Sequence, residues 1–215
     1  MSRAALREGL FGGVGSRKPA AARSYGPAAG EPPLLVDPRR WGSLIGLVGG
    51  MVFIGSSSSE LGPVASRTAW AAGVALVMVA LFAHYVRPVP LGLIARPHPL
   101  ALAIYCGCVL GELALIAVGS RALIAVDRGE LQPALIAAVV GLHFVPFAWT
   151  FHERMFLYLG AAVAVTGTAG LLAGALGVPH AADALAVIAG LVMITIITLY
   201  ARGLFAPPVP EQPGT

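Results

Sequence analysis

From Trp41 onward the chain alternates six long apolar runs with short polar breaks, and each run approaches the roughly 20 mainly apolar residues that a helix needs to cross a bilayer. The runs cover 41–59, 68–86, 100–120, 131–151, 155–176 and 182–201. Within them apolar residues follow one another without alternation, as in Leu115 to Val118 and Ala161 to Val165. That excludes barrel strands, the other structure able to satisfy its backbone in lipid. The pattern predicts an all-α, polytopic membrane protein built as a six-transmembrane-helix bundle. Composition agrees, at 57% hydrophobic and 11% charged residues, with a mean hydropathy of +0.82 that a soluble domain does not carry. The first run is the weakest. Its strictly apolar part, Leu44 to Gly55, has the length of a signal-peptide core, but the long leader ahead of it and the even number of spans favour a retained helix.

Charge sets the orientation. With the tail before Trp41 placed in the cytoplasm, Arg3, Arg7, Arg17, Lys18, Arg23, Arg39, Arg40, Arg87, Arg96, Arg154 and Arg202 fall inside, and only Arg67, Arg121 and Arg128 fall outside. The positive-inside rule then predicts that both termini are cytoplasmic, in the inner (plasma) membrane of the cell. Aromatic residues including Trp41, Tyr85, Trp149 and Tyr200 gather toward the same interface, as amphipathic rings do. The net charge of +4 therefore reads as topology and contact with anionic lipid, with the bilayer as the partner and no nucleic acid. Arg outnumbers Lys thirteen to one, which suits a GC-rich bacterial source.

Residues 1–40, rich in Ala, Gly, Pro and Arg, are expected to be a disordered basic cytoplasmic tail ahead of a transmembrane domain at 41–203. Arg39 and Arg40 read as a membrane-flanking anchor. The Pro-rich stretch 204–215 is expected to be a second disordered tail, and the Pro-rich connection Arg87 to Pro99 a stiff strap along the headgroups. Without strong hydrophobic drive between helices in lipid, close packing depends on small residues. Gly42, Gly46 and Gly50 form a ridge on the first span, Gly107 and Gly111 repeat the spacing on the third, and Gly170 and Gly174 on the fifth. These faces are expected to join helices within one bundle, with a homodimer seam through the first span as the rival.

Ionisable groups inside a span are costly and each is a candidate site. Counting 1.5 Å per residue from the inner ends puts Glu112 roughly 20 Å deep and His143 roughly 12 Å deep, so the two can meet across the third and fourth spans. Tyr105 shares the helical face of Glu112, while Thr166 and Thr195 reach comparable depths, giving a candidate intramembrane polar layer. Such a pair is proton-sensitive unless each member supplies the other's counter-charge; hydrogen-bonded glue between helices is the plainer alternative. Pro146, one turn after His143, is expected to kink its helix by removing a backbone donor. Cys106 and Cys108 point to different faces and read as packing residues.

The stretch Gly141 to Ala148, GLHFVPFA, followed by Phe151 and Tyr158-Leu159-Gly160, resembles an uncharacterised family of small bacterial multi-helix integral membrane proteins that carry a Gly-Leu-His-Phe-x-Pro segment. The resemblance implies a membrane protein and transfers no catalytic residue. The sequence contains no P-loop, dinucleotide fingerprint, zinc-protease helix or phosphotransfer motif, so no catalytic residue, metal site or cofactor is expected and the chain does not read as an enzyme. Two classes of role remain: a small transporter, channel or sensor using the Glu112 and His143 layer, or a non-catalytic accessory subunit of a larger membrane complex.

Overall fold

A computed structural model describes residues 32–91, 99–151 and 153–205. These contain six long helices and, among the described residues, no strand: α1 (Pro38–Ser57), α2 (Pro63–Leu81), α3 (Pro99–Ala125), α4 (Gln132–Thr150), α5 (Arg154–Ala175) and α6 (Ala181–Ala201). With their short extensions, six helices are long and apolar enough to cross a membrane, the mark of a multi-pass membrane protein. Both expected tails fall outside the described residues over 1–31 and 206–215, as does the expected strap over 92–98.

Helix ends differ from the apolar runs for local reasons. Asp37 caps α1 by accepting a 2.9 Å hydrogen bond from the Arg39 backbone N–H, and Pro38 occupies the first turn, where its missing donor costs nothing. The helix therefore takes in Arg39 and Arg40, which correct the expectation of a flanking anchor: Arg40 is 2% exposed. Gly62, at φ 86°, makes the turn that lets Pro63 open α2 five residues before the expected start. α3 runs five residues past Ser120 because Arg121 ends the apolar run without interrupting the helix. A single π-helical turn, Phe82–Val86, closes α2.

The last helix is the centre. Among the described residues α6 packs against α1, α2, α4 and α5, whereas α3 packs mainly on α4 and the turn Gly129–Leu131 that precedes it. Glycine sets the closest approaches. A methyl group at Gly50 would fall 2.9 Å from the Gly190 carbonyl oxygen, and one at Gly190 would fall 2.5 Å from that of Gly50, so α1 and α6 meet backbone to backbone. Gly46 lies against Ile197, Gly170 against Ala134 and Leu185, and Gly174 against Leu131. The tightest contact joins α4 to α5 through Gly141 and Gly167, neither of which can carry a side chain without striking the backbone of the facing helix.

Three glycines depart from the expected packing. Among the described residues no heavy atom lies within 4 Å of a methyl added at Gly42, Gly107 or Gly111, so none of these glycines brings two of the described helices together. The close glycine of α3 is Gly119, against Leu135. Small-residue spacing marks a face able to approach another helix, while the tertiary arrangement decides whether one is there. With Gly46 and Gly50 occupied by α6, these two are not free to form a homodimer seam.

Candidate functional site

α1 and α4 barely touch, and between them lies a partly open cleft of about 2420 Å³ with walls from α1, α3, α4, α5 and α6. Between its two charged ends the walls are mainly apolar, with Ile45, Val52, Val140, Phe144, Met193 and Ile197, and are broken by Tyr105, Glu112 and His143. One end carries Arg39, Glu153, Arg154 and Tyr200; the other carries Glu60, Arg128, Glu130, His180 and Asp183. Small-ligand pockets hold about 300–1000 Å³, so the cleft as a whole is too large to be one binding pocket, and chemistry is confined to the polar groups on its wall.

Tyr105, Val109 and Glu112 line the cleft from α3 at the i, i+4, i+7 spacing of one helix face. His143 lines it from α4, and its Nδ1 lies 3.4 Å from Glu112 Oε2, a charge-pair separation without the geometry of a well-formed hydrogen bond. Both side chains are largely but not wholly covered. An aromatic cluster surrounds them. Tyr105 stacks on Phe147 at 5.3 Å between centroids, the His143 ring meets Phe147 edge-on at 5.3 Å, and Phe147 in turn packs against Phe151 and Phe156. α4 continues as helix through Pro146 for a further turn, and Thr150 donates 2.9 Å back to the Pro146 carbonyl.

Thr166 and Thr195 do not join this group. Each donates to a carbonyl of its own helix, Thr166 to Ala162 at 2.7 Å and Thr195 to Leu191 at 2.8 Å, and neither lines the cleft. A hydroxyl in a membrane helix finds its nearest acceptor one turn back, and similar depth does not bring it to a shared site.

A second polar cluster, at the Arg39 end, went unread in the sequence. Arg40 donates to the His84 carbonyl at 2.5 Å and to the Val89 carbonyl at 3.4 Å, and its Nε lies 3.9 Å from Asp37 Oδ2. Arg39 reaches the Leu91 carbonyl at 2.9 Å and forms a 3.1 Å ion pair with Asp37. Asp37, Arg40 and His84 are all almost fully buried, and His84 sits on the π-helical turn with its ring tilted against Tyr200. The cluster ties the start of α1 to the segment that leaves α2. The only sequence signal for it was Asp37-Pro38, a cap and first turn that place both arginines inside the helix.

Glu153, between α4 and α5, faces this cluster from the cleft. Burial pushes its carboxyl above the ordinary range, with Asp37 adding to the rise, while Arg39 and a hydrogen bond from Tyr200 oppose it. A raised folded pKa means that the unfolded chain ionises first, so stability is full below about pH 4.5 and is lost as pH rises through the folded value. Glu153→Gln, which keeps an acceptor for Tyr200, is therefore expected to be more stable than the native chain at neutral and alkaline pH. The gap should close on acidification in thermal unfolding scans; a constant gap would refute the assignment.

Among the described residues no group of three or more His, Cys, Asp or Glu side chains is placed to hold a metal ion. Compared with known protein families, with curated proteins and with solved structures, the chain matches none.

Proposed function

We propose that this chain is a non-enzymatic membrane protein, a small transporter, channel or sensor, in which Glu112 and His143 exchange a proton or bind a small solute on the wall of the cleft. The observation that carries this reading is the 3.4 Å approach of the two side chains on a cleft that runs between two charged ends. An ionisable pair that served only as glue between α3 and α4 gains nothing from facing a cleft, since water or a solute there competes for both groups. In this reading both termini lie in the cytoplasm and the Arg39 end of the bundle faces the inner leaflet, as the distribution of Arg supports.

Glu112→Gln, which keeps size and removes the ionisation, is the direct test. In proteoliposomes carrying an internal pH dye, the native chain should admit protons down an imposed gradient faster than protein-free vesicles, and the variant should return the rate to that background. Equal rates for native and variant protein would remove the pair from the function. The accessory-subunit reading is favoured by one observation: among the described residues α3 packs on α4 and the turn Gly129–Leu131, and none comes within 4 Å of a methyl added at Gly107 or Gly111, so another chain can approach there. It parts from the first reading on the same variant, because a packing role tolerates Glu112→Gln and fails with Gly107→Leu.

A further inference from the structure

We infer that the Glu112 patch binds an organic cation with a bulky apolar body, such as a lipophilic amine or a quaternary ammonium or phosphonium ion; this rests on the reading of Glu112 and His143 as a solute site. Glu112 stands thirteen residues from Pro99 and thirteen from Ala125, at the midpoint of α3 and about 20 Å from either end. Charge at that depth is isolated. α4, the helix that holds α3, has His143 as its single titratable side chain, and the turn Gly129–Leu131 offers only Glu130, which is ion-paired to Arg128 at 2.7 Å. On α3 itself the titratable groups are Tyr105, Cys106, Cys108 and Arg121. Across the cleft, the ionisable side chains of α1, α5 and α6 all lie within two turns of a helix end.

A ligand reaching mid-depth through apolar walls needs an apolar body, and the one charge it can satisfy there is positive. Glu112 supplies the carboxylate, and the half-exposed ring of Tyr105, backed by the buried Phe147, supplies an aromatic face that attracts a cation and also packs against hydrocarbon. A hydrated metal ion fits poorly, because one carboxylate and one imidazole fall short of the oxygen ligands that hard cations require. Charge balances without a further partner. When the cation pairs with the Glu112 carboxylate, one proton leaves the pair for water, from the carboxyl or from the His143 imidazolium, and the net charge of the site is unchanged.

Tetraphenylphosphonium and tetraphenylborate carry the same four rings with opposite charge, so the pair isolates the sign of the ligand. Equilibrium binding to the full chain in lipid nanodiscs, against empty discs of the same lipid, should show saturable uptake of the phosphonium at one site and only background partitioning of the borate. Glu112→Gln should weaken phosphonium binding about thirtyfold or more, the loss that follows removal of one partner from a buried charge pair. Tyr105→Leu, at a half-exposed position that tolerates change, should weaken it about threefold. Should Glu112→Gln fail to fold, the contrast between the two ions on the native chain and the Tyr105→Leu variant decide. Equal binding of both ions, or none above empty discs, overturns the assignment of ligand class. If proton entry still depends on Glu112 in that case, the solute site stands with a different ligand; if it does not, both readings fall.

Discussion

Gly141→Ala is expected to destabilise the bundle by about 3 kcal/mol, at the upper end of what overpacking costs. The added methyl would fall 2.6 Å from the Ala164 Cα and 2.8 Å from its Cβ, so the obstacle is the backbone of α5 and no rotamer change relieves it. Gly160 closes the same seam from the other side, where an added methyl would fall 2.8 Å from the Gly141 carbonyl oxygen, which leaves α4 and α5 no room to slide. The helices must separate, and the separation exposes no polar group that lipid would reward. Gly107→Ala is the control: with nothing among the described residues within 4 Å, it removes a helix-weakening glycine and should be neutral or stabilising by up to about 1 kcal/mol. Thermal unfolding in detergent, followed by tryptophan fluorescence, separates the two. Equal midpoints for both variants would show that α4 and α5 are not in backbone contact.

Arg40→Leu is expected to cost about 3 kcal/mol or more, the usual penalty for breaking a buried charged network by removing one member. Two carbonyls, those of His84 and Val89, lose their donor, and Asp37 keeps only Arg39 as its ionic partner. The loss should be local as well as global. Because the guanidinium bridges α1 to the end of α2 and the residues after it, chymotrypsin should cut after Tyr85, which Val86 follows, much faster in the variant than in the native chain. Arg40→Lys should rescue little, since a single ammonium cannot reproduce a planar fork that donates in two directions. Unchanged proteolysis with lowered stability would place the role of Arg40 within α1 alone.

The six helices were legible because lipid leaves a coarse signature: roughly 20 apolar residues can hardly hide, and charged residues mark where each run ends. That Glu112 and His143 could meet was legible from their positions inside the third and fourth spans, while the 3.4 Å approach itself depends on how α3 and α4 are rotated, which depth does not report. The same criterion missed the Arg40 cluster. Arginines beside an apolar run look like headgroup anchors, and only the cap at Asp37 and the turn at His84 draw them inside. It also overread Gly107 and Gly111, whose spacing matches Gly46 and Gly50 although no helix among the described residues faces them. Thr166 and Thr195 failed for a related reason, since a hydroxyl's choice between its own helix and a neighbour depends on rotation about the helix axis, which depth does not report.

The placement of α6 bears on how the molecule is made. It is the last of the six helices to leave the ribosome, yet it supplies the surface on which α1, α2, α4 and α5 all close. Until it arrives, Gly46 and Gly50 have nothing to rest on, and the earlier helices can form only the α4–α5 pair and looser contacts among the rest. Closure of the six-helix bundle therefore waits on a single committing insertion, and a chain arrested before residue 181 would hold the α4–α5 pair in the membrane with α1 and α2 unclosed, open to capture by quality-control proteases.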